Sequence, residues 1–189
     1  MLGIAQANSQ RLSHLINDLL DMDKLEAGKM QFDLQPCALA AQLQEALDSN
    51  QAYADRHQVK LRLLDCVPAL VRVDAMRLQQ VLANFINNAV KYSPSGSTVQ
   101  VNCQSEEGWV KVSVTDSGMG IPVKDQPHIF DRFYRVLGPH MENITGFGIG
   151  LYLCKEIIGR HGGRVGVESD YGKGSTFWFE IPIVDELLG

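Results

Sequence analysis

No run of apolar residues in this sequence approaches the ~20 needed to cross a bilayer as a helix, and no basic-then-apolar leader opens it. Nor is there a cluster of Lys and Arg: Asp and Glu outnumber them 22 to 17, for a formal net charge of -5. Nucleic-acid backbones demand clustered cations, so general nucleic-acid binding is disfavoured and no nucleic-acid partner is expected. Cysteine is scarce. Cys37, Cys66, Cys103 and Cys154 lie far apart in the chain and form no CxxC pair. They read as reduced cytosolic thiols rather than staples or zinc ligands. His57, His128, His140 and His161 are scattered and match no metal spacing. Internal repeats and low-complexity segments are absent. Asn143-Ile144-Thr145 fits a glycosylation sequon, which carries no weight without a secretory signal.

What is present suits one globular domain with a short appendage: 189 residues, 45% hydrophobic and 21% charged. Residues 4 to 28 read as a helix, because Ile4, Leu12, Leu15, Leu19 and Met22 recur at three- and four-residue steps, widened by Ile16 and Leu20. Gly28 would end it. Such a stripe needs covering, by a bundle or dimer partner or by the helix's own domain. Met30 to Leu34 alternates and predicts a short strand. Residues 38 to 57 predict a helix, Val59 to Leu64 and Ala69 to Val73 strands. The strongest internal helix spans 75 to 91, where Leu78, Val81, Leu82, Phe85, Ile86, Ala89 and Val90 share a face before Ser93-Pro94-Ser95-Gly96 breaks it. Thr98 to Cys103 and Trp109 to Thr115 predict a hairpin. Residues 116 to 149 are Gly- and Pro-rich and aperiodic, a length that points to function. A helix from Gly150 to His161 and strands at Arg164 to Ser169 and Thr176 to Ile183 complete an α+β, two-layer α/β sandwich.

Three glycine clusters carry the chemistry: Asp116-Ser117-Gly118-Met119-Gly120, Gly146-Phe147-Gly148-Ile149-Gly150 and Gly172-Lys173-Gly174-Ser175-Thr176. The middle one runs into a predicted helix, whose free N–H groups and positive dipole end suit an anion. Three such clusters, with an acid on the first, point to a nucleotide. A P-loop is excluded because Gly172-Lys173 is followed by Gly174 rather than Ser or Thr. A Rossmann site is excluded because Gly146, Gly148 and Gly150 are spaced GxGxG and come late in the chain. Protein-kinase signatures of the HRD and DFG type are missing.

The helix segment Asn84-Phe85-Ile86-Asn87-Asn88-Ala89-Val90-Lys91-Tyr92 resembles the asparagine box of sensor histidine kinases. Asp116 to Gly120 resembles their first glycine box, Phe130-Asp131-Arg132-Phe133-Tyr134-Arg135 their phenylalanine box, and the two later clusters their remaining glycine boxes. The five occur in family order over about residues 30 to 184. The resemblance implies the GHKL (Bergerat) ATPase sandwich, shared with type II topoisomerases, Hsp90-type chaperones and MutL-type repair proteins, and it implies ATP and Mg²⁺ as cofactors. It makes Asn88 the Mg²⁺ ligand through its amide oxygen, Asn84 its neighbour on the same helix face, Lys91 a phosphate contact and Tyr92 a wall against adenine. Asp116 would accept from the adenine amine. Gly118, Gly120, Ile121, Gly146, Gly148, Gly150, Leu151 and Thr176 would complete the nucleotide contacts. Residues 121 to 147 would form a lid, with the rings of Phe130 and Phe133 buried as anchors. Arg132 and Arg135 would either meet the γ-phosphate or pair within the lid.

The superfamily's ATP hydrolases resemble one another in a glutamate four residues before the magnesium asparagine. Here that position is Asn84, whose amide takes no proton at neutral pH. Transfer to a better nucleophile, a histidine nitrogen, is therefore favoured over hydrolysis. Leu15-Ile16-Asn17-Asp18-Leu19-Leu20-Asp21 and Leu25-Glu26-Ala27-Gly28 resemble the second helix of the dimerisation and phosphoacceptor hairpin. His14 is followed by Leu15-Ile16 where the family has an acid, so it reads as a helix-surface residue. The expectation is a fragment: residues 1 to 29 a partial dimerisation helix, residues 30 to 189 the catalytic domain, without autophosphorylation of its own. Partners implied are the missing acceptor helix, a response-regulator receiver domain and a second copy of the full-length protein. The domain is expected in the cytoplasm; whether a longer parent is anchored in the inner membrane stays open. A clamp-type ATPase, a degenerate docking module and a serine kinase of the same fold are the competing readings.

Overall fold

The computed structural model describes residues 2–136 and 147–184. A long helix α1 (Leu2–Glu26) is followed by β1 (Gln35–Ala38), α2 (Leu39–Arg56), β2 (Lys60–Cys66), β3 (Leu70–Val73) and α3 (Ala75–Tyr92). Then come β4 (Thr98–Glu106), β5 (Trp109–Thr115), α4 (Gly150–Arg160), β6 (Arg164–Asp170) and β7 (Gly174–Pro182). Five strands form one sheet in the order β2-β4-β5-β7-β6. Only β2 and β4 run parallel; the other neighbours are antiparallel. β1 and β3 make a separate antiparallel pair.

The period-two pattern decides which sheet face is covered. Val110, Val112 and Val114 of β5 are buried, as are Val99, Val101 and Cys103 of β4 and Phe177, Phe179 and Ile181 of β7. They meet Leu43, Ala46 and Leu47 of α2, the predicted stripe of α3, and Cys154, Ile157 and Ile158 of α4 in one core. This is the two-layer sandwich expected from the sequence. The β4–β5 hairpin turns on Glu107 and Gly108, both at positive φ (48° and 84°), which keeps the strand twist through a two-residue turn.

The ends of α3 are fixed locally. Asp74 caps it by accepting from the Arg77 amide at 3.0 Å. Asp74 also accepts from the Asp33 amide on its other oxygen, and its own amide donates to His161 Nε2 at 2.9 Å. At the far end Ser93 is extended, as the residue before Pro94 must be.

Two expectations are corrected. Met30 to Leu34 is not a strand: the first strand is Gln35–Ala38, which finds a partner in Leu70–Val73. The alternation upstream comes from one-sided burial of Met30 and Phe32 against α1 and α4, with no ladder partner. Helix α1 also divides its apolar residues. Met22 and Leu25 pack with Met30, Ile149 and Leu153, whereas Leu12 (57%), Ile16 (48%) and Leu20 (51%) are exposed. His14 lies in α1, with its side chain outside the described residues. Among the described residues no helix is long and apolar enough to cross a membrane.

Candidate functional site

A cavity of about 290 Å³ opens between α3, the loop after β5, residues 129 to 136 and the start of α4. Asn84, Asn88, Lys91 and Tyr92 of α3, Asp116, Gly120, Ile121, Arg135, Gly148, Gly150 and Leu151 all line it. Residues far apart in the chain thus converge on one space. Of the other sequence candidates, Gly118, Phe133 and Thr176 stand outside the wall, and Gly146 lies outside the described residues.

Asn88 and Asn84 are one helical turn apart and face each other. Asn88 Nδ2 donates to Asn84 Oδ1 at 3.1 Å, which fixes both amides. The Asn88 oxygen is then the group left to meet a ligand or a hard cation. Among the described residues no cluster of three or more His, Cys, Asp or Glu side chains offers a metal cage. A single amide oxygen fits Mg²⁺, which takes few protein ligands and several from phosphate and water.

Asp116 ends β5 and is 6% exposed. Its Oδ1 accepts from the Gly118 amide at 2.7 Å and the Ser175 amide at 3.3 Å, and its own amide donates to the Ser175 carbonyl at 2.8 Å. Both side-chain bonds fall on one oxygen, so Oδ2 is left to accept from a ligand amine. Burial pushes the Asp116 carboxyl above its usual range, opposed by these two amides. Thr176 is taken up by its neighbour instead, its hydroxyl lying 2.9 Å from that of Thr115.

Close approach explains two of the glycines. A side chain at Gly150 would put its Cβ 2.1 Å from Asn84 Nδ2, so any larger residue there displaces the Asn84 amide. Gly120 has a φ of 68° and would drive a Cβ to 2.1 Å from the Asp170 carbonyl. α4 starts without a side-chain cap. Gly150 and Leu151 of its first turn line the cavity, where the unpaired first amides of a helix are available to an anion.

Lys91 Nζ sits over the Tyr92 ring, 5.1 Å from its centre. Burial raises the Tyr92 hydroxyl, with Arg135 pulling the other way. Phe130 is partly buried and packs edge-on against Phe177. Phe133 does not bury its ring: it is 52% exposed, because its backbone is left-handed at φ 61° and its amide is tied to the Gly148 carbonyl. Arg132 covers the Phe133 ring and pairs with Glu26 of α1, a use foreseen by neither sequence reading. Arg135 lines the cavity.

Several lining residues were not among the contacts expected from the sequence. Met119, Tyr134, Ser175 and Phe177 reach the wall through neighbours in the boxes, and Tyr134 is held by its hydroxyl donating to Asp125 at 2.7 Å. Leu15 and Asp18 come from α1. Only the docking of that helix on α4 brings them there.

Comparison with known proteins agrees with this fold. Residues 73–185 match the model of the family described as histidine kinase-, DNA gyrase B-, and HSP90-like ATPase. Sensor histidine kinase WalK of Bacillus subtilis is 35% identical over 187 residues, 98% of this chain and 31% of that protein. Sensor protein SrrB of Staphylococcus aureus is 32% identical over 181 residues, 96% of this chain and again 31% of that protein. A crystal structure of full-length ShkA in complex with AMPPNP superposes with a TM-score of 0.82 at 28% identity, over 94% of this chain and 37% of that one. The chain thus spans about a third of the length of the relatives it matches.

Proposed function

Since the chain belongs to the histidine kinase-, DNA gyrase B-, and HSP90-like ATPase family, and its fold is that of the ATP-binding catalytic domain of sensor histidine kinases, we propose that it binds ATP in the α3–α4 cavity and presents the γ-phosphoryl group to a histidine on a separate helix. The observation that carries this reading is the convergence of the Asn84–Asn88 pair, Asp116 and the uncapped start of α4 on one space.

Asp116 Oδ2 accepts from the adenine amine and so selects adenine over guanine, whose corresponding edge bears a carbonyl. Tyr92 and Ile121 wall the base. Lys91, Arg135 and the amides of Gly148, Gly150 and Leu151 receive the phosphates. Asn88 Oδ1 holds Mg²⁺, whose charge, when it is bound, offsets that of the transferring group. Asn84 supports Asn88 by accepting its amide hydrogen. It offers no base for water, which leaves transfer to a nitrogen nucleophile as the productive course.

Residues 1–29 are read as part of a dimerisation and phosphoacceptor hairpin, a reading supported by the exposed apolar face of Leu12, Ile16 and Leu20. Residues 30–189 are read as the catalytic unit. The whole protein would act as a homodimer on the cytoplasmic side and pass the phosphoryl group to a response-regulator aspartate.

Titration calorimetry with AMPPNP, with and without Mg²⁺, tests the site in the wild type and in Asp116→Asn and Asn88→Ala. Binding that weakens in Asp116→Asn and loses its Mg²⁺ dependence in Asn88→Ala supports the reading. A wild-type chain that takes no nucleotide under any condition removes it and leaves a docking module. Transfer itself is tested by supplying a histidine-bearing helical hairpin in trans with ATP.

A further inference from the structure

Two of the four cysteines, distant in sequence, meet in space. Cys66 ends β2 and Cys103 lies on β4, and the two are direct partners in the parallel ladder. An irregularity between Leu63 and Cys66 sets this register. It turns Cys66 toward the core that Cys103 occupies. Both sulfurs approach one carbonyl, that of Val67, at 3.8 and 3.9 Å. Paired strands lie about 4.8 Å apart, inside the ~4.4–6.8 Å Cα range that a disulfide spans without moving backbone.

We propose that Cys66 and Cys103 are a redox-responsive pair that closes to an intrachain disulfide when the domain meets a small disulfide oxidant such as oxidised glutathione. The partly exposed Cys66 thiolate attacks one sulfur of the oxidant, forming a mixed disulfide and releasing one small thiolate. The Cys103 sulfur then attacks the Cys66 sulfur and displaces the second small thiolate. The two protein protons end on the two released thiols, so the protein loses two electrons and the oxidant gains them. The order follows from access, since Cys103 is fully buried. Burial and its neighbour Cys66 push the Cys103 thiol up to about 12, which keeps it protonated and makes the second step slow. The other two are poorer candidates: Cys154 is buried in α4 and Cys37 lies on β1, and neither has a cysteine partner in its ladder.

Closure would tie the edge strand β2 to β4 at its loose end. It would also join the two ends of the segment that holds β3 and all of α3, with Asn84 and Asn88 on it. The bridge therefore braces the element that carries one wall of the cavity, without touching any residue that lines it.

The reduced chain is incubated with oxidised glutathione, quenched by alkylation in denaturant and examined by intact mass and peptide mapping, beside Cys66→Ser, Cys103→Ala and the double variant Cys37→Ser/Cys154→Ser. The expected wild-type result is loss of two of the four thiols, a linked peptide joining Cys66 to Cys103, and a melting temperature higher by about 5 °C or more that dithiothreitol reverses. The double variant should lose both remaining thiols, and Cys103→Ala should stop at a glutathione adduct on Cys66. Four thiols surviving in the wild type, a bridge between any other pair, or a stable adduct on wild-type Cys66 would overturn the proposal. None of these outcomes depends on nucleotide binding, so it stands or falls apart from the kinase reading.

Discussion

Asn84 and Asn88 are joined by a 3.1 Å hydrogen bond from the amide of the second to the oxygen of the first, and Gly150 of α4 rests against the first of them. One side chain thus orients its neighbour and sets how closely the next helix may approach. Replacing Asn84 by Ala should free the Asn88 amide and weaken Mg²⁺-dependent nucleotide binding by about 10-fold or more. Asn84→Asp, which keeps an acceptor for the Asn88 N–H, should retain more of it. Equal losses in the two variants would show that the hydrogen bond does not position Asn88.

Gly150→Ala is expected to damage both fold and site. The added carbon meets Asn84 Nδ2 at 2.1 Å, and displacing that amide from its bond with Asn88 should destabilise the domain by about 1–3 kcal/mol. Denaturant titration measures this, and AMPPNP affinity should fall with it. Gly159→Ala, on the same helix with open space around it, is the control and should be neutral or mildly stabilising.

Asp116 is a buried carboxyl whose two amide bonds fall on one oxygen, leaving the other toward the proposed ligand. Burial raises its pKa, so the folded state binds a proton more readily than the unfolded chain. Between the ordinary carboxylate value and the raised one, stability therefore falls as pH rises, and at neutral pH the charge costs the empty fold. Asp116→Asn should melt no lower than wild type at pH 7 while binding ATP much more weakly. That advantage should shrink as pH falls through the window. A variant that loses affinity and stability together would mean that the carboxylate is structural.

His161 works in the opposite direction. Its Nε2 accepts from the Asp74 amide, so the proton sits on Nδ1, which donates to the Ile157 carbonyl at 2.7 Å. Burial lowers its pKa below 6.5. The unfolded chain takes up a proton there before the folded one does, so stability should fall as pH drops from about 6.5 toward the folded value and be full above it. Melting curves from pH 7.5 to 5 check this: His161→Gln should be less stable than wild type at pH 7.5 but lose less on acidification.

Two of the ion pairs between α1 and the domain should differ in weight. Asp21 accepts from Arg77 at 2.9 Å and from Gln80 at 3.0 Å, with its side chain 16% exposed. Glu26 and Arg132 are each about two-fifths exposed. Asp21→Ala should therefore cost about 1–3 kcal/mol, leaving the largely buried Arg77 guanidinium with Gln80 but no carboxylate, whereas Glu26→Ala should cost about 0–1 kcal/mol. Hydrogen exchange along α1 should rise clearly in the first and little in the second.

The chain's local patterns determined a good deal by themselves. The stripe of α3, the break at Ser93-Pro94, the β4–β5 hairpin and the glycine boxes were all legible, because helix period, turn chemistry and strand alternation act over a few residues. So were Asn84, Asn88, Lys91, Tyr92 and Asp116, which the boxes carry in order. Tertiary structure alone decided what depends on distant neighbours. It moved the first strand from Met30–Leu34 to Gln35–Ala38, since alternation marks a buried face but only a partner strand makes a ladder. Phe133 was turned outward by a left-handed backbone. Packing of Met22 and Leu25 on α4 brought Leu15 and Asp18 to the cavity, and a slipped register set Cys66 beside Cys103. Each of these rests on contacts between residues far apart in the chain, and no local pattern encodes which distant surfaces will meet.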